Sequence, residues 1–550
     1  MKIKRVLLPV GAFALLGMTA ALMAKSINST KEIKQVKADT ADVIISSDAE
    51  FASFISAVNG GTRYDNELVQ LAADVSYEIT VKPTAADPWS IFAGTFDGAN
   101  HTIAITVNMT DTCPSLFRNL GNADFQDAVF KNTNINYSVV QSVTGGNIYA
   151  APVATYNNGL IQNVHTTMNF NVSSVYYVGG IVEKNQSVGI IENCSVDGTI
   201  AATSYVGGIV AENLGTIRNC TVNGNIEGNN HLGGIAATNN SLIENCKNYS
   251  TIQMTSGSFA GGITSVNGTT EFVNARIIKS INYANINSAG AEIGGIAGFM
   301  YSNAKISYCD NYGNISSSST SEGRLGGFVG RIANKDENSS HTTKIEYCYN
   351  AGNISGLQSC GGLIGIVNSN LVPVLQITGC LSTGSVNGTK QNSGTFIGWT
   401  NSNTISVTDS WAVGAKLGVT ALGVAGGTAA GATYSKADGV SDDFRAIIKA
   451  IREYNCVAIP GFGALYGGLD DGEKTLLNQI NYYDDLNTYA MKTYGQAAEY
   501  IIDDQAHGAR ISLLSLNNNY WAVIIVISVM VLSITSMVFV IRRKKNVTNK

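Results

Sequence analysis

Val178-Gly179-Gly180-Ile181-Val182, then Asn185, then Ile191-Glu192-Asn193-Cys194, then Gly198-Thr199-Ile200: this stretch occurs three times in succession. The second copy runs Val206-Gly207-Gly208-Ile209-Val210, Asn213, Ile217-Arg218-Asn219-Cys220 and Gly224-Asn225-Ile226. The third runs Leu232-Gly233-Gly234-Ile235, Asn239, Ile243-Glu244-Asn245-Cys246 and Ile252. Looser copies continue with the pairs Gly261-Gly262, Gly294-Gly295, Gly326-Gly327 and Gly361-Gly362. The cysteine position passes through Ser280, Cys309, Cys348, Cys380 and Ser410, and the last isoleucine through Ile286, Ile315, Ile354 and Val386. Upstream, Ala151-Pro152 replaces the glycine pair in a copy with Asn157, Gly159, Ile161 and Val164. The period averages about 31 residues from Val164 to Ser410.

Each unit holds short apolar segments of about four residues, separated by Gly, Asn, Ser or Thr, which are too short for isolated helices. One unit cannot bury its own apolar face, but stacked units can, each strand pairing with its equivalent about 4.8 Å away. The pattern predicts a mainly β protein, a right-handed parallel β-helix of roughly ten coils and about 50 Å. Isoleucine would stack on isoleucine and cysteine on cysteine. The glycine pairs would let the chain turn at the corners. The recurring asparagines would tolerate left-handed backbone there. An array of β-sandwiches would need a period of about 80–100 residues.

Ser47-x-x-Glu50 reads as a capping box ahead of Phe51, Phe54, Ile55 and Val58, with Gly60 and Gly61 closing one amphipathic helix. Such a helix would cover the solenoid's first end against strand pairing. Asp74-Val75, Trp89, Gly94-x-Phe96-Asp97-Gly98 with Ile103, Leu116-Phe117, and then the Gly-Gly-Ile-Val and Ile-x-Asn-Cys units follow in order. In this series, over roughly residues 45–415, the chain resembles bacterial surface proteins with GLUG-motif repeats. The resemblance implies a large surface or secreted protein, often adhesin-like. Some related repeats are appended to peptidases that cut immunoglobulin A. It carries no catalytic residue to any position here.

The ends point to export. A basic start, Lys2, Lys4 and Arg5, precedes an apolar run to Ala24, the layout of a signal peptide over residues 1–24. Tyr520 to Ile541 holds no charge and is long enough to cross a bilayer core of about 30 Å. Arg542, Arg543, Lys544 and Lys545 follow, so residues 542–550 read as a cytoplasmic tail and the body of the chain as extracellular. Subtracting the three basic residues at the start and the five at the end from a net charge of −5 leaves −13 over residues 25–541. That balance argues against nucleic acid and against anionic lipid as partners. Residues 25–44 and 415–440 read as linkers, the second also as a last weak coil. Residues 441–510, with Ser441-Asp442-Asp443 and the apolar spacing Phe444, Ile447, Ile448, Ile451, read as a helical spacer module.

Nine cysteines in an exported chain first suggest disulfides. Six of them, Cys194, Cys220, Cys246, Cys309, Cys348 and Cys380, share one repeat position, which suits buried, inward-facing thiols better. Some disulfide or metal use stays open. No C-x-x-C pair or H-E-x-x-H spacing occurs, and no cofactor is expected. Glu192 and Glu244 recur at one position with Arg218 between them. They could lie about 9–10 Å apart, a separation compatible with glycoside hydrolysis, but a solvated face explains them more simply. The expected function is therefore surface display of a solenoid that binds glycans or host and matrix proteins. A β-helix polysaccharide lyase or glycoside hydrolase is the first alternative, and a structural envelope protein the second.

Overall fold

The computed structural model describes residues 41–441 apart from short internal segments, the largest being 81–89, 334–341 and 418–432. The expected signal peptide, most of the helical spacer, the span at 520–541 and the tail lie outside the described residues. Among the described residues, no helix is long and apolar enough to cross a membrane.

The chain winds as a parallel β-solenoid of about ten turns. A typical coil contributes to three sheets: Val175–Gly179 to the third, Val182–Asn185 to the second, then Ile190–Glu192 and Ser195–Ala202 to the first. The next coil repeats this with Ser204–Gly207, Val210–Asn213, Thr216–Arg218 and Thr221–Gly228. Register places like on like, with Val178 beside Val206, Val182 beside Val210, Ile191 beside Ile217 and Ile200 beside Ile226. Coil length varies without breaking register. Ile191 and its partner Ile217 are 26 residues apart, whereas the equivalent partners Ile306 and Ile345 are 39 apart. Past residue 414, Lys416–Leu417, Thr433–Ser435 and Val440–Ser441 still pair in the first sheet.

The glycine pairs are required by space rather than by left-handed backbone. A Cβ on Gly179 would lie 1.8 Å from the Val182 carbonyl oxygen, and one on Gly180 would lie 2.1 Å from that of Gly208. The same crowding recurs at Gly207 and Gly208, Gly233 and Gly234, Gly261 and Gly262, Gly294 and Gly295, Gly326 and Gly327, and at Gly361. None of these glycines has positive φ.

The asparagines also depart from expectation. Asn157, Asn185, Asn213 and Asn239 end strands of the second sheet, fully buried and without positive φ, and the Oδ1 atoms of Asn157, Asn213 and Asn239 accept the amide two residues on. Left-handed backbone belongs instead to the asparagine before the cysteine position, which Val164 holds in the earliest copy: Asn163, Asn193, Asn219 and Asn245, with φ between 53° and 57°. Later coils force Lys279, Tyr308 and Tyr347 into that same conformation.

The predicted helix spans Asp48–Asn59, with Ser47 as N-cap and Gly60 as C-cap. The reciprocal bond of the capping box goes to a neighbour: Glu50 Oε2 accepts from the Ser46 amide at 2.7 Å. Phe51 and Phe54 pack on Tyr77, Phe92, Phe96 and Phe117 of the first coils. Asp48 Oδ1 accepts the Ser76 amide at 2.7 Å, at the strand Val75–Ile79.

Candidate functional site

The six repeat cysteines lie inside the solenoid, each at most 2% exposed, and Ser280 holds their position between Cys246 and Cys309. Every described cysteine is a free thiol. Each repeat thiol donates to a backbone carbonyl two residues back, as Cys194 does to Glu192 at 3.2 Å and Cys309 to Ser307 at 3.3 Å. Burial pushes Cys194, Cys246 and Cys309 well above the ordinary thiol range. These positions fill the core. No cluster of metal-ligating residues occurs among the described residues.

Glu192 and Glu244 lie on the outer side of the first sheet within a row of alternating charge. Arg218 is ion-paired to Glu192, Gln162 donates to the same carboxylate at 2.7 Å, and Lys279 stands 3.6 Å from Glu244.

The distinctive surface is the groove where the second and third sheets meet. The outer row of the third sheet is aromatic: Tyr149, Tyr177, Tyr205, His231 and Phe259. Their successive ring centroids are 5.3, 4.6, 4.2 and 4.9 Å apart. Parallel register produces this stack, because one residue type recurring once per coil becomes a column. Tyr205 and His231 hold φ of 51° and 54°, unusual for bulky side chains. The outer row of the second sheet runs alongside it: Tyr156, Lys184, Glu212, Thr238, Val266, Phe299 and Arg331.

The groove has two polar ends. At one, Glu183 is buried, and burial, reinforced by Glu212, pushes its carboxyl up to about 7. Lys184 stands 2.7 Å from Glu212. At the other, the groove deepens into a cavity of about 420 Å³ lined by Tyr205, His231, Phe259, Phe299, Tyr301 and Arg331, among others. The Arg331 guanidinium lies 5.6 Å from the Phe299 ring centre and 3.3 Å from Glu292 Oε1, which Arg324 also contacts. His231 Nδ1, Arg331 Nε and Glu292 Oε2 are buried without a hydrogen-bond partner among the described residues. Burial lowers the His231 imidazole to about 4, so it is neutral at neutral pH. Cavities of this size, apolar with a few converging polar groups, are typical ligand sites.

Residues 202–227 match the GLUG motif. These residues span most of one coil, from the strand holding Tyr205 to the strand Thr221–Gly228. No curated protein matches the chain. Among solved structures, a candidate immunoglobulin A1 protease from Bacteroides ovatus pairs with 61% of this chain and 76% of its own, at 16% identity and TM-score 0.28. The fold assignment rests on the strand registers themselves.

The groove corresponds to no motif in the sequence, because Tyr149, Tyr177, Tyr205 and His231 come together only through strand register. The usable signal was present: an aromatic residue sits just before the apolar residue that leads each of the first four glycine pairs, at Tyr177, Tyr205, His231 and Phe259.

Proposed function

We propose that this GLUG-repeat solenoid is a surface-displayed binding protein that holds glycan chains along its aromatic groove. The observation that carries this reading is the continuous ring column from Tyr149 to Phe259, opening into the cavity beside Arg331. Sugars offer an apolar C–H face to aromatic rings and a rim of hydroxyls to polar groups. A column repeating once per coil suits a polymer that also repeats, and weak contacts then add through multivalency. The apolar segment at 520–541 supports display from a membrane, and the helix Asp48–Asn59 would close the outer end of the solenoid.

The test is retention of the purified full-length chain on an immobilised panel of glycans, mucins and matrix proteins. Saturable retention on glycans, lost on Tyr177→Ala, is expected. Retention on proteins alone would overturn the glycan reading.

A second reading has one observation behind it. Glu183, whose carboxyl is raised to about 7 by burial and by nearby Glu212, lies with the Glu212–Lys184 ion pair at one end of the same groove. Unequal carboxyl pairs serve as acid and partner in glycoside hydrolysis. Release of shortened oligosaccharides from a soluble glycan, abolished by Glu183→Gln, would favour the enzyme.

A further inference from the structure

We infer that the cavity between His231, Phe259, Phe299 and Arg331 is the seat for a single sugar ring, gripped through its hydroxyls by His231 Nδ1 and Arg331 Nε. This deepens the glycan reading of the groove and rests on it.

Three observations converge here. The first is shape. The cavity has aromatic walls on two sides: Tyr205, His231 and Phe259 come from the third sheet, and Phe299 and Tyr301 from the second. Phe259 and Phe299 stand nearly edge to face, with centroids 5.4 Å apart, and Tyr301 turns its ring 62° to Phe299. A flat ring entering this corner meets apolar surface on more than one side, whereas the tyrosine column outside it offers one face only.

The second is the orphaned polar atoms. His231 Nδ1 and Arg331 Nε are both out of contact with solvent and unpaired among the described residues, and both side chains line the cavity. A buried donor or acceptor left without a partner is costly, and a ligand that supplies one recovers that cost. Arg331 Nε can only donate, whereas a neutral imidazole nitrogen donates or accepts according to its tautomer. A hydroxyl can meet both demands, because each O–H is donor and acceptor at once.

The third is the fixed position of Arg331. Its Nη1 stands 3.3 Å from Glu292 Oε1 and its guanidinium lies over Phe299. These contacts engage Nη1 and leave the buried Nε without a partner among the described residues. Glu292 is shared with Arg324, so the guanidinium is held in place while the pair of arginines keeps one positive charge in excess of that carboxylate.

The experiment measures binding of the full-length chain and three variants to gluco-, xylo-, manno- and N-acetylchito-oligosaccharides of two to six units. The variants are Arg331→Met, His231→Phe and Tyr177→Ala. His231→Phe keeps a ring in the column, and Arg331→Met keeps the aliphatic packing, so both hold the cavity's shape. Circular dichroism melts identify any variant that has lost its fold. Arg331→Lys replaces any variant at that position which has, since it keeps the charge and removes Nε. The expected result is at least tenfold weaker binding of the preferred sugar for Arg331→Met and His231→Phe. Free monosaccharide of the same type should compete. Binding unchanged in both cavity variants but lost in Tyr177→Ala would overturn the seat while leaving the groove as a glycan site. Retention of no oligosaccharide by the parent chain would overturn the groove reading and this inference with it.

Discussion

Asn267 stands in register with Met300, the residue after Phe299, and the line of buried side-chain amides that begins at Asn157 stops there. From Asn157 through Asn185, Asn213 and Asn239 to Asn267, each Nδ2 donates to the next Oδ1 at 2.8–2.9 Å. Met300 offers no acceptor, so Asn267 Nδ2 is left unpaired. A second line takes over on another face: Asn248, Asn282, Asn311 and Asn350, ending on the Ser382 hydroxyl. The amides thus run along the inside of the solenoid much as the apolar ladders do.

Breaking the first line at its middle should be costly. Asn213→Ala orphans the Gly215 amide, which Asn213 Oδ1 accepts, and takes one acceptor from Asn185 Nδ2, leaving it the Gly189 carbonyl at 3.2 Å, in a fully buried setting. A buried orphan costs about 1–3 kcal/mol and the weakened Asn185 donor adds to it, so a loss of about 2–4 kcal/mol is expected. Asn219→Ala removes an exposed amide that donates to Asn193 and must still hold φ of 57°. Its cost should stay near 1 kcal/mol. Guanidinium unfolding of the two variants side by side checks the ranking, and equal midpoints would contradict it.

The cysteine row makes a different prediction. Ser280 already serves at this position, where its Oγ donates to the Ile278 carbonyl at 3.1 Å, as Cys220 Sγ does to Arg218 at 3.3 Å. Cys220→Ser should therefore cost no more than about 1 kcal/mol, whereas Cys220→Leu overpacks a closed core and should cost about 1–3 kcal/mol or more. The parent thiols should resist iodoacetamide at pH 8 in the folded state and react after denaturation. Burial pushes even the off-row Cys113 and Cys360 up to about 12, which removes the reactive thiolate. Rapid labelling of the native chain would show that the row is open to solvent.

Glu183 gives the groove a pH signature. Its carboxyl is raised from 4.5 to about 7, so the folded state holds a proton that the unfolded state releases. Stability from this group is complete below pH 4.5, falls as pH rises towards 7, and is gone above that. His231 acts in the opposite sense, since its lowering from 6.5 to about 4 removes stability as pH falls through that window. Comparing Glu183→Gln with the parent at each pH isolates the carboxyl. The variant should match the parent near pH 4 and exceed it by about 1–3 kcal/mol at pH 8. A constant difference across that range would mean that Glu183 is not the titrating group.

The solenoid was legible because its code is local and repeated. The Gly-Gly-Ile-Val and Ile-x-Asn-Cys units place apolar residues at fixed steps, and parallel stacking converts those steps into ladders such as Ile191 on Ile217. Which face an asparagine takes was not legible, since Asn185 and Asn193 look alike in sequence; one is buried and the other caps a left-handed corner. The groove was hidden for a related reason. Tyr177, Tyr205, His231 and Phe259 differ in type and align only through strand register. His231 and Arg331 are 100 residues apart in the chain, and only the stacking of coils brings both to one cavity.

The helix Asp48–Asn59 bears on how the solenoid begins. Phe54 touches Phe51, Tyr64, Phe92, Phe96 and Phe117, with ring centroids between 5.1 and 6.2 Å. Asp48 Oδ1 accepts the amide of Ser76 in the strand Val75–Ile79. Phe54→Ala should cost about 3–5 kcal/mol locally, the usual range for removing a buried phenylalanine. The loss should loosen the first coils before the rest, because each coil leans chiefly on its neighbours. Hydrogen exchange should then show faster exchange at Val69, Leu71 and Val75, with Ile217 and Ile243 unchanged. Freed strand edges pair with one another, so light scattering should also detect concentration-dependent association absent from the parent. Asp48→Asn tests the edge separately: it weakens the acceptor for Ser76 while leaving the ring cluster whole, so exchange should quicken near Ser76 alone. Uniform acceleration along the whole solenoid in Phe54→Ala would instead show that the coils unfold as one unit, and that the helix stabilises all of them together.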